Sequence, residues 1–381
     1  MDSVQRVTIW DEQVTTGERA ALAPGRPEGL DRSPDVLVIG GGVIGLAAAA
    51  MCRRAGLGRI VLLEQSPRLV PGASSGNGGA IAPDMHVLTD PAEFVAFGRR
   101  SRDLYRELDA EWGGAIGAWA TRWLDIRPAE QIPAGVWRRL DADEVRELEP
   151  DVRVPDGAAA ALVEGQLAVN PQRLAAALAR RAGQVATGVG LLGVSEQGGR
   201  VCTVHTTAGD FSPGALVVAT GLLPRPWHRL VPQRWIKGHM LAVARGPWRL
   251  RSVLAGPFGG GTPLPWGGVV CGGTFDDGDT TRDVRPEVAD PMAAALATLV
   301  PAAAGARIAH RWCCFRPYVE GRQPVIDRLP GVDNAWFAGG HFTTGIMMAP
   351  ATGAALAEWI ATGAAPADVR TFTLPGQRNP A

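Results

Sequence analysis

The sequence predicts an α/β protein in which a parallel-sheet domain, assembled from separated stretches of chain, is interleaved with a second, α+β domain on a mixed or antiparallel sheet. Three observations predict it. An apolar strand, a glycine-rich turn and an alanine-rich helix follow one another from Asp35. Strand-plus-glycine pieces return near Val217 and again from Asn334. Between these returns lie Arg/Glu-rich amphipathic stretches and a Trp-, Pro- and Gly-rich region of different composition.

The elements follow in chain order. Residues 1–34, with Gly17, Pro24, Gly25 and Pro27, read as an extended N-terminal arm. The first domain opens at Asp35 and runs over 35–90. DVLVIG is a β-branched strand, GGVIGLAAAAMCRRAG a helix opened by glycines, and RIVLLEQ a second strand, together a βαβ unit of about thirty residues. Residues 91–150 belong to the second domain, where FVAFGRRSRDLYRELDAEW and LDADEVRELEP have the pattern of surface helices. The chain returns to the first domain over 151–225, through a helix with Asn170 as cap and Pro171 at its first position, then the apolar strand ALVVATG. Residues 226–309 are second domain again, with strands in HMLAVAR and GVVCGGTF and a helix in DPMAAALATLVP. Residues 310–381 close the first domain with the strand NAWFAGG and the helix ATGAALAEWIATG.

Composition narrows the function. At 381 residues and 46% hydrophobic, the chain can bury two interleaved cores. A formal net charge of zero gives no general attraction to nucleic acid or an acidic membrane, so small molecules are the expected partners. Homo-oligomerisation is left open. Five cysteines without a C-x-x-C pair fit a reducing, cytoplasmic setting and give no metal site. Met1 to Asp31 is polar and lacks the basic start and apolar stretch of a signal peptide. The apolar run Val36 to Cys52 carries four glycines and is shorter than a membrane span. Lys237 is the sole lysine, so positive charge is almost wholly arginine.

Gly40-Gly41-Gly42-Val43-Ile44-Gly45 satisfies G-x-G-x-x-G between a strand and a helix, the context that makes it a Rossmann-type dinucleotide fingerprint. Gly40 permits the tight turn, and Gly42 lets backbone amides at Val43 and Ile44 approach a pyrophosphate at the positive helix end. Gly45 lets the helix lie close to the strand. Glu64 ends the second strand, nineteen residues past Gly45, where its carboxylate suits a ribose diol and repels the 2′-phosphate of NADP. The fingerprint alone does not choose FAD over NAD.

GASSGNGGAIAP at 72–83, VVATG at 217–221 and FAGGHFTTGIMMAPATGAALAEWI at 337–360 supply that choice. With the fingerprint they resemble the FAD-dependent D-amino acid oxidase family, in its glycine oxidase and sarcosine oxidase branch, nearest to glycine oxidase and spanning nearly the whole chain from Asp35. The resemblance implies non-covalent FAD, with Ser74, Ser75, Asn77, Gly78 and Gly79 along the pyrophosphate and flavin edge. It carries Glu64, Gln65, Val189, Thr220 and Gly221 over as further cofactor contacts. The turn from His341 through Thr344, Gly345, Ile346 and Met347 would place amides and a helix N-terminus at the flavin N1/O2 side, where fixed N–H dipoles stabilise charge.

RWCCFRPYVEGRQPVI carries the substrate expectation. Arg316 matches the arginine that clamps a carboxylate in the glycine oxidase pattern W-x-x-L-R-P, and a planar guanidinium suits that role. Departures from the pattern imply a larger pocket: the stretch FGGGTPLPW has Gly260 or a neighbour where glycine oxidases carry a tyrosine, and Thr343 replaces an arginine. Trp266, with Trp235 and Trp312, is expected to line an apolar wall. Cys314 falls where sarcosine oxidases attach flavin, and Val270 where they place a lysine that helps oxygen react. Lys237 is read as structural.

The expectation is therefore an FAD-dependent amine oxidase acting on a glycine-type or N-substituted glycine substrate, with O2 reduced to H2O2. The resemblance extends to relatives in macrolactam antibiotic pathways that oxidise N-carboxymethyl amino acids. A D-amino acid dehydrogenase passing electrons to a quinone, an NAD-dependent dehydrogenase and a flavin-carrying subunit without turnover are the alternatives.

Overall fold

The structure, a computed structural model, describes residues 8–374. The ends of the expected arm and of the last expected domain segment, 1–7 and 375–381, lie outside the described residues.

Short runs of Val, Leu and Ile form the central sheet. Its six strands lie in the order 325–328, 335–339, 215–221, 36–39, 60–64 and 184–187. Five are parallel and the edge strand 325–328 is antiparallel. Val36–Ile39 and Ile60–Glu64 are buried at every position, as strands covered on both faces must be. Alternation divides them: Val36, Val38, Ile60 and Leu62 face a helical layer containing 43–54, 171–179 and 345–362. Leu37, Ile39, Val61 and Leu63 face a three-stranded antiparallel sheet, 191–197, 200–206 and 209–211. The helices 43–54 and 345–362 cross so closely that a Cβ on Gly353 would sit 2.5 Å from the Ala47 carbonyl oxygen. Their small residues permit the crossing. Asn170 caps 171–179 as expected, its side chain accepting from the Gln172 and Arg173 amides.

The second layer has two five-stranded sheets. One contains 262–263, 269–272, 233–243 and 276–277, with 308–319 antiparallel to 233–243. The other contains 253–255, 119–128, 158–168 and 80–81, with 138–140 also paired to 158–168. It is mixed, because 253–255 runs parallel to 119–128. Leu124, Ile126, Leu162, Leu241, Val243 and Val269 pack the two sheets together, with Leu296 and Leu299 from the helix 291–299. Among the described residues no helix is long and apolar enough to cross a membrane.

Strand membership departs from the expected boundaries three times, the first at strand 80–81, which lies inside 35–90 but pairs with 158–168 in a second-layer sheet. Strand 158–168 pairs with 119–128, and strand 308–319 with 233–243, so both belong to second-layer sheets although 151–225 and 310–381 were assigned to the first domain. Both are long strands whose apolar residues suit either layer, and only their pairing partners decide. The N-terminal arm is also corrected. It folds into a 3₁₀ turn, Ile9–Gln13, and a helix, Thr16–Leu22. Trp10 and Leu22 are buried in the body, which stabilises what the Pro/Gly content suggested would be extended.

Candidate active site

The glycine-rich turn has the shape a dinucleotide needs. Gly40 sits at φ 114°, and a Cβ there would meet the Ala219 carbonyl. A Cβ on Gly45 would overlap the Gly40 carbonyl oxygen, so this glycine brings the helix onto the strand. Gly42 caps helix 43–54 with no side-chain cap of its own, a helix end that suits an anion. Ser74 Oγ accepts from Val43 N at 3.0 Å, placing a hydroxyl from the 72–79 loop at that helix end. Glu64 is buried, its carboxylate accepting from Gly41 N at 2.7 Å and Ser66 N at 2.8 Å. Ile44 continues the buried helix, while Gln65 is exposed beyond Glu64. Val189 donates its amide to the Glu64 carbonyl at 2.8 Å, and Gly340 N donates to the Gly221 carbonyl at 2.7 Å. Thr220 Oγ1 donates to the Leu222 carbonyl at 2.6 Å. These residues fit a dinucleotide: an anion-binding helix end, a carboxylate one strand away, and glycines where side chains would block approach.

The 72–79 loop braces itself. Ser75 N donates to the Gly72 carbonyl at 3.2 Å, Asn77 Oδ1 accepts from Gly79 N at 2.7 Å, and Asn77 Nδ2 donates to the Ser74 carbonyl at 2.5 Å. Gly76 is buried under strand 308–319, its carbonyl accepting from Trp312 Nε1 at 2.9 Å and from the Cys314 thiol at 3.5 Å. Gly78 lies over Met240 and Thr262, each 3.8 Å from its Cβ position.

Pairing then defines two faces of the sheet containing 233–243 and 308–319. Gly238 lies opposite Cys314, Met240 opposite Trp312 and Ile236 opposite Arg316, so these six share the face turned to the 72–79 loop. Arg316 is 8% exposed. Its guanidinium extends over Gly238 and Gly273, where any Cβ would overlap it, stacks 4.7 Å from the Phe275 ring centroid, and donates to the Thr274 carbonyl at 2.8 Å. Burial pulls its pKa down, and among the described residues it forms no ion pair with a carboxylate. A buried guanidinium whose one side-chain hydrogen bond among the described residues goes to a carbonyl has the chemistry to take a carboxylate.

The reverse face is different. Lys237 is fully buried and donates to Asp279 Oδ2 at 2.9 Å and Thr281 Oγ1 at 3.1 Å. His239 Nδ1 lies 2.9 Å from Asp276 Oδ2, and its Nε2 accepts from Arg285 N at 3.2 Å. These contacts bind segment 274–285 to the sheet, and Lys237 is the structural residue expected.

His341 to Met347 forms the turn into helix 345–362. Thr344 N and Oγ1 each reach the His341 carbonyl at 2.8 Å, leaving the Gly345, Ile346 and Met347 amides at the helix start. Tyr105 donates to the Ile346 carbonyl at 2.6 Å. Phe342 takes φ 49°, a left-handed strain held by Phe342 N donating to the Pro317 carbonyl at 3.0 Å and by ring contacts to Tyr318 and Phe275. His341 is buried, its Nε2 3.1 Å from Thr352 Oγ1 and its Nδ1 without a partner among the described residues. Burial pushes its pKa down to about 3, so the ring is neutral near pH 7.

Three expected substrate contacts are not drawn to Arg316. A Cβ on Gly260 would run into the Leu254 carbonyl, so this glycine relieves a backbone approach and opens no pocket. Trp266 packs edge-on to Trp10 and Trp119, each 6.3 Å away between centroids. Thr343 is exposed on the turn. The aromatic ring beside the guanidinium is instead Phe275, with Phe342 packed against that ring, and the sequence reading missed both along with Gly238, Gly273 and Trp10. A signal existed for the cradle: G-G-T-F in a strand end is a poor strand sequence unless something packs onto the glycines.

A family model described as FAD dependent oxidoreductase matches residues 35–359. The glycine oxidase of Bacillus licheniformis is 27% identical over 355 residues, covering 86% of this chain and 92% of that protein. The bifunctional protein ThiO/ThiG of Synechocystis sp. is 28% identical over 363 residues, covering 87% of this chain and 52% of that protein, so the chain spans about half of that relative. The crystal structure of a glycine oxidase from Bacillus cereus superposes with a TM-score of 0.81 at 22% identity, covering 91% of this chain and 100% of that one. Fold, fingerprint and family match agree: the chain belongs to the DAO family of FAD-dependent oxidoreductases and is glycine oxidase-like.

Proposed function

We propose that this chain oxidises the C–N bond of a small amino acid of the glycine or N-substituted glycine class, held by its carboxylate on Arg316. The observation that carries the reading is a guanidinium that is buried, stacked on Phe275 and without a carboxylate partner among the described residues, on the sheet face turned to the 72–79 loop. A carboxylate there would restore the two missing charge-assisted bonds in a fork geometry. Phe275 and Phe342 flank the approach, and Phe275 is 62% exposed, which suits an apolar substituent on the substrate nitrogen reaching the surface.

The chain's residues bind and orient. Gly238 and Gly273 fix where the guanidinium lies, and the Thr274 carbonyl uses one of its donors, fixing the rotation of the fork. His341 stays neutral and adds no charge beside the turn. Ser74, Asn77 and the amides of Val43 and Ile44 are the residues proposed to hold the pyrophosphate side of FAD, with Gly345, Ile346 and Met347 at the ring side. The chemistry supplied by bound FAD is acceptance of a hydride from the α-carbon, with its electron pair passed on to O2 to give H2O2. The substrate leaves as an imine, and water converts it to glyoxylate or another 2-oxo acid plus the free amine. Electron transfer to a quinone is the second reading, favoured by the ASSGNGGAIAP stretch.

The test is anaerobic bleaching of the bound flavin by glycine, sarcosine, D-amino acids and long-chain N-alkylglycines, followed by air. N-Alkylglycines should bleach it and air restore the colour with one H2O2 per substrate. Bleaching by no amine that carries a carboxylate overturns the proposal, and bleaching without recolouring in air selects the quinone reading.

A further inference from the structure

The segment 8–22 precedes the stretch matched by the family model, yet it reaches the cofactor loop. Trp10 is completely buried, and its indole N–H donates to the Asn77 carbonyl at 2.9 Å. The far edge of the same ring packs on Gly79, 3.2 Å from its Cβ position, and Gly79 has φ 73°, a conformation that favours glycine. Trp10 therefore fixes the carbonyl of one loop residue and the backbone path of another. From Asn77 the connection runs through its side-chain amide to the Ser74 carbonyl at 2.5 Å, and from Ser74 Oγ to Val43 N at 3.0 Å, the start of the dinucleotide helix.

The segment is anchored on its other side. Asn170 Nδ2 donates to the Trp10 carbonyl at 3.0 Å, Gln172 Nε2 to Asp11 Oδ1 at 3.0 Å, and Arg173 Nε to Glu18 Oε1 at 3.1 Å. Leu69 N donates to the Leu22 carbonyl at 2.8 Å, and the next residue, Val70, donates to the Gly41 carbonyl at 2.9 Å. One short segment thus grips helix 171–179, the 76–79 loop and Leu69, whose neighbour Val70 bonds the glycine-rich turn. A stretch that merely covered apolar surface needs no indole N–H aimed at a loop carbonyl.

We propose that segment 8–22 is a clamp on the cofactor loop, with Trp10 as the positioning residue that fixes 76–79 and thereby sets FAD retention. This rests on the reading that 74–79 faces FAD, and it is independent of which substrate Arg316 holds.

The test uses the full chain stripped of FAD and titrated with FAD by fluorescence quenching, alongside hydrogen exchange of the amides in 74–79. Trp10→Phe keeps most of the ring and loses the N–H. It is expected to raise the FAD dissociation constant about tenfold and to speed exchange in 74–79 about tenfold. Trp248→Phe, in the core between the two second-layer sheets, controls for general loss of packing and should leave both readings within twofold of the parent. Asp11→Asn alters the outer anchors without touching an atom that meets the loop, and a threefold weakening is expected. Should Trp10→Phe fail to fold, Asp11→Asn decides by the same two readings. Unchanged FAD affinity and unchanged exchange in the folded variant overturn the proposal, as does equal loosening by Trp248→Phe. Failure of every amine to bleach the flavin would sink the substrate reading and leave this one standing.

Discussion

The sheet built on 233–243 and 308–319 carries a buried cation on each face, and the two are treated oppositely. Lys237 meets Asp279 and Thr281 within the chain, whereas Arg316 meets an aromatic ring and one carbonyl but no carboxylate among the described residues. The same backbone thus holds one cation paired with a carboxylate and another without one among the described residues. Desolvating a charge is costly unless it is paired, which makes the first arrangement structural and is the ground for proposing the second as a carboxylate receptor.

The contrast can be broken most severely at Arg316. Arg316→Met is expected to lower kcat/KM on the order of 30- to 5,000-fold, from the roughly 2–5 kcal/mol lost when one partner of a buried charged pair is truncated. Its Tm should hold or rise, because an unpaired buried charge is removed. A Tm collapse would mean that Arg316 is structural like Lys237. Gly238→Ala keeps the charge and moves it, since the new methyl overlaps the guanidinium. KM should rise roughly tenfold or more with the fold intact, and unchanged kinetics would show that the cradle does not set the fork.

On the reverse face, Asp279→Asn strips Lys237 of its carboxylate. Tm should fall by a few degrees, on the order expected for a domain of this size, while kcat/KM is retained. Restoration of Tm by the added Lys237→Met substitution would sharpen the distinction. The smallest effect concerns His341. Its folded pKa, pushed down to about 3 by burial, lies below the unfolded value of about 6.5. The unfolded chain therefore binds the extra proton, and stability falls as pH drops through that window, by at most about 1.4 kcal/mol per pH unit. Urea denaturation from about pH 7 to about pH 4 should show a shallower acid slope for His341→Asn.

Local grammar was legible. The first βαβ unit, the Asn170 cap and the final strand and helix are read directly from periodicity and turn residues. Arg316 was legible through its resemblance to a pattern, but its setting was not, because Gly238, the Gly273–Phe275 run and strand 308–319 meet from three separated stretches that no spacing links. Gly260 misled for the complementary reason: a missing side chain was taken as open space, and the Leu254 carbonyl fills it. The N-terminal segment was misread despite a signal. Thr8 with Asp11 and Thr15 with Glu18 are both capping boxes, and the structure forms each. Domain membership of 158–168 and 308–319 was beyond reach, since strand partners are long-range facts.

The order of strands in the central sheet has a consequence for how the protein is made. Strand 36–39 is central, yet its neighbour 215–221 and the next strand, 335–339, emerge from the ribosome much later. The helix start at Gly345 comes later still, near the opposite end of the chain from Gly42. Strand 36–39 must therefore wait, unpaired on one edge, until 215–221 has been synthesised, and the second glycine-rich helix start, at Gly345, must wait longer. Cofactor capture is expected to be a closing event of biogenesis, and a nascent chain released before strand 335–339 should retain no flavin.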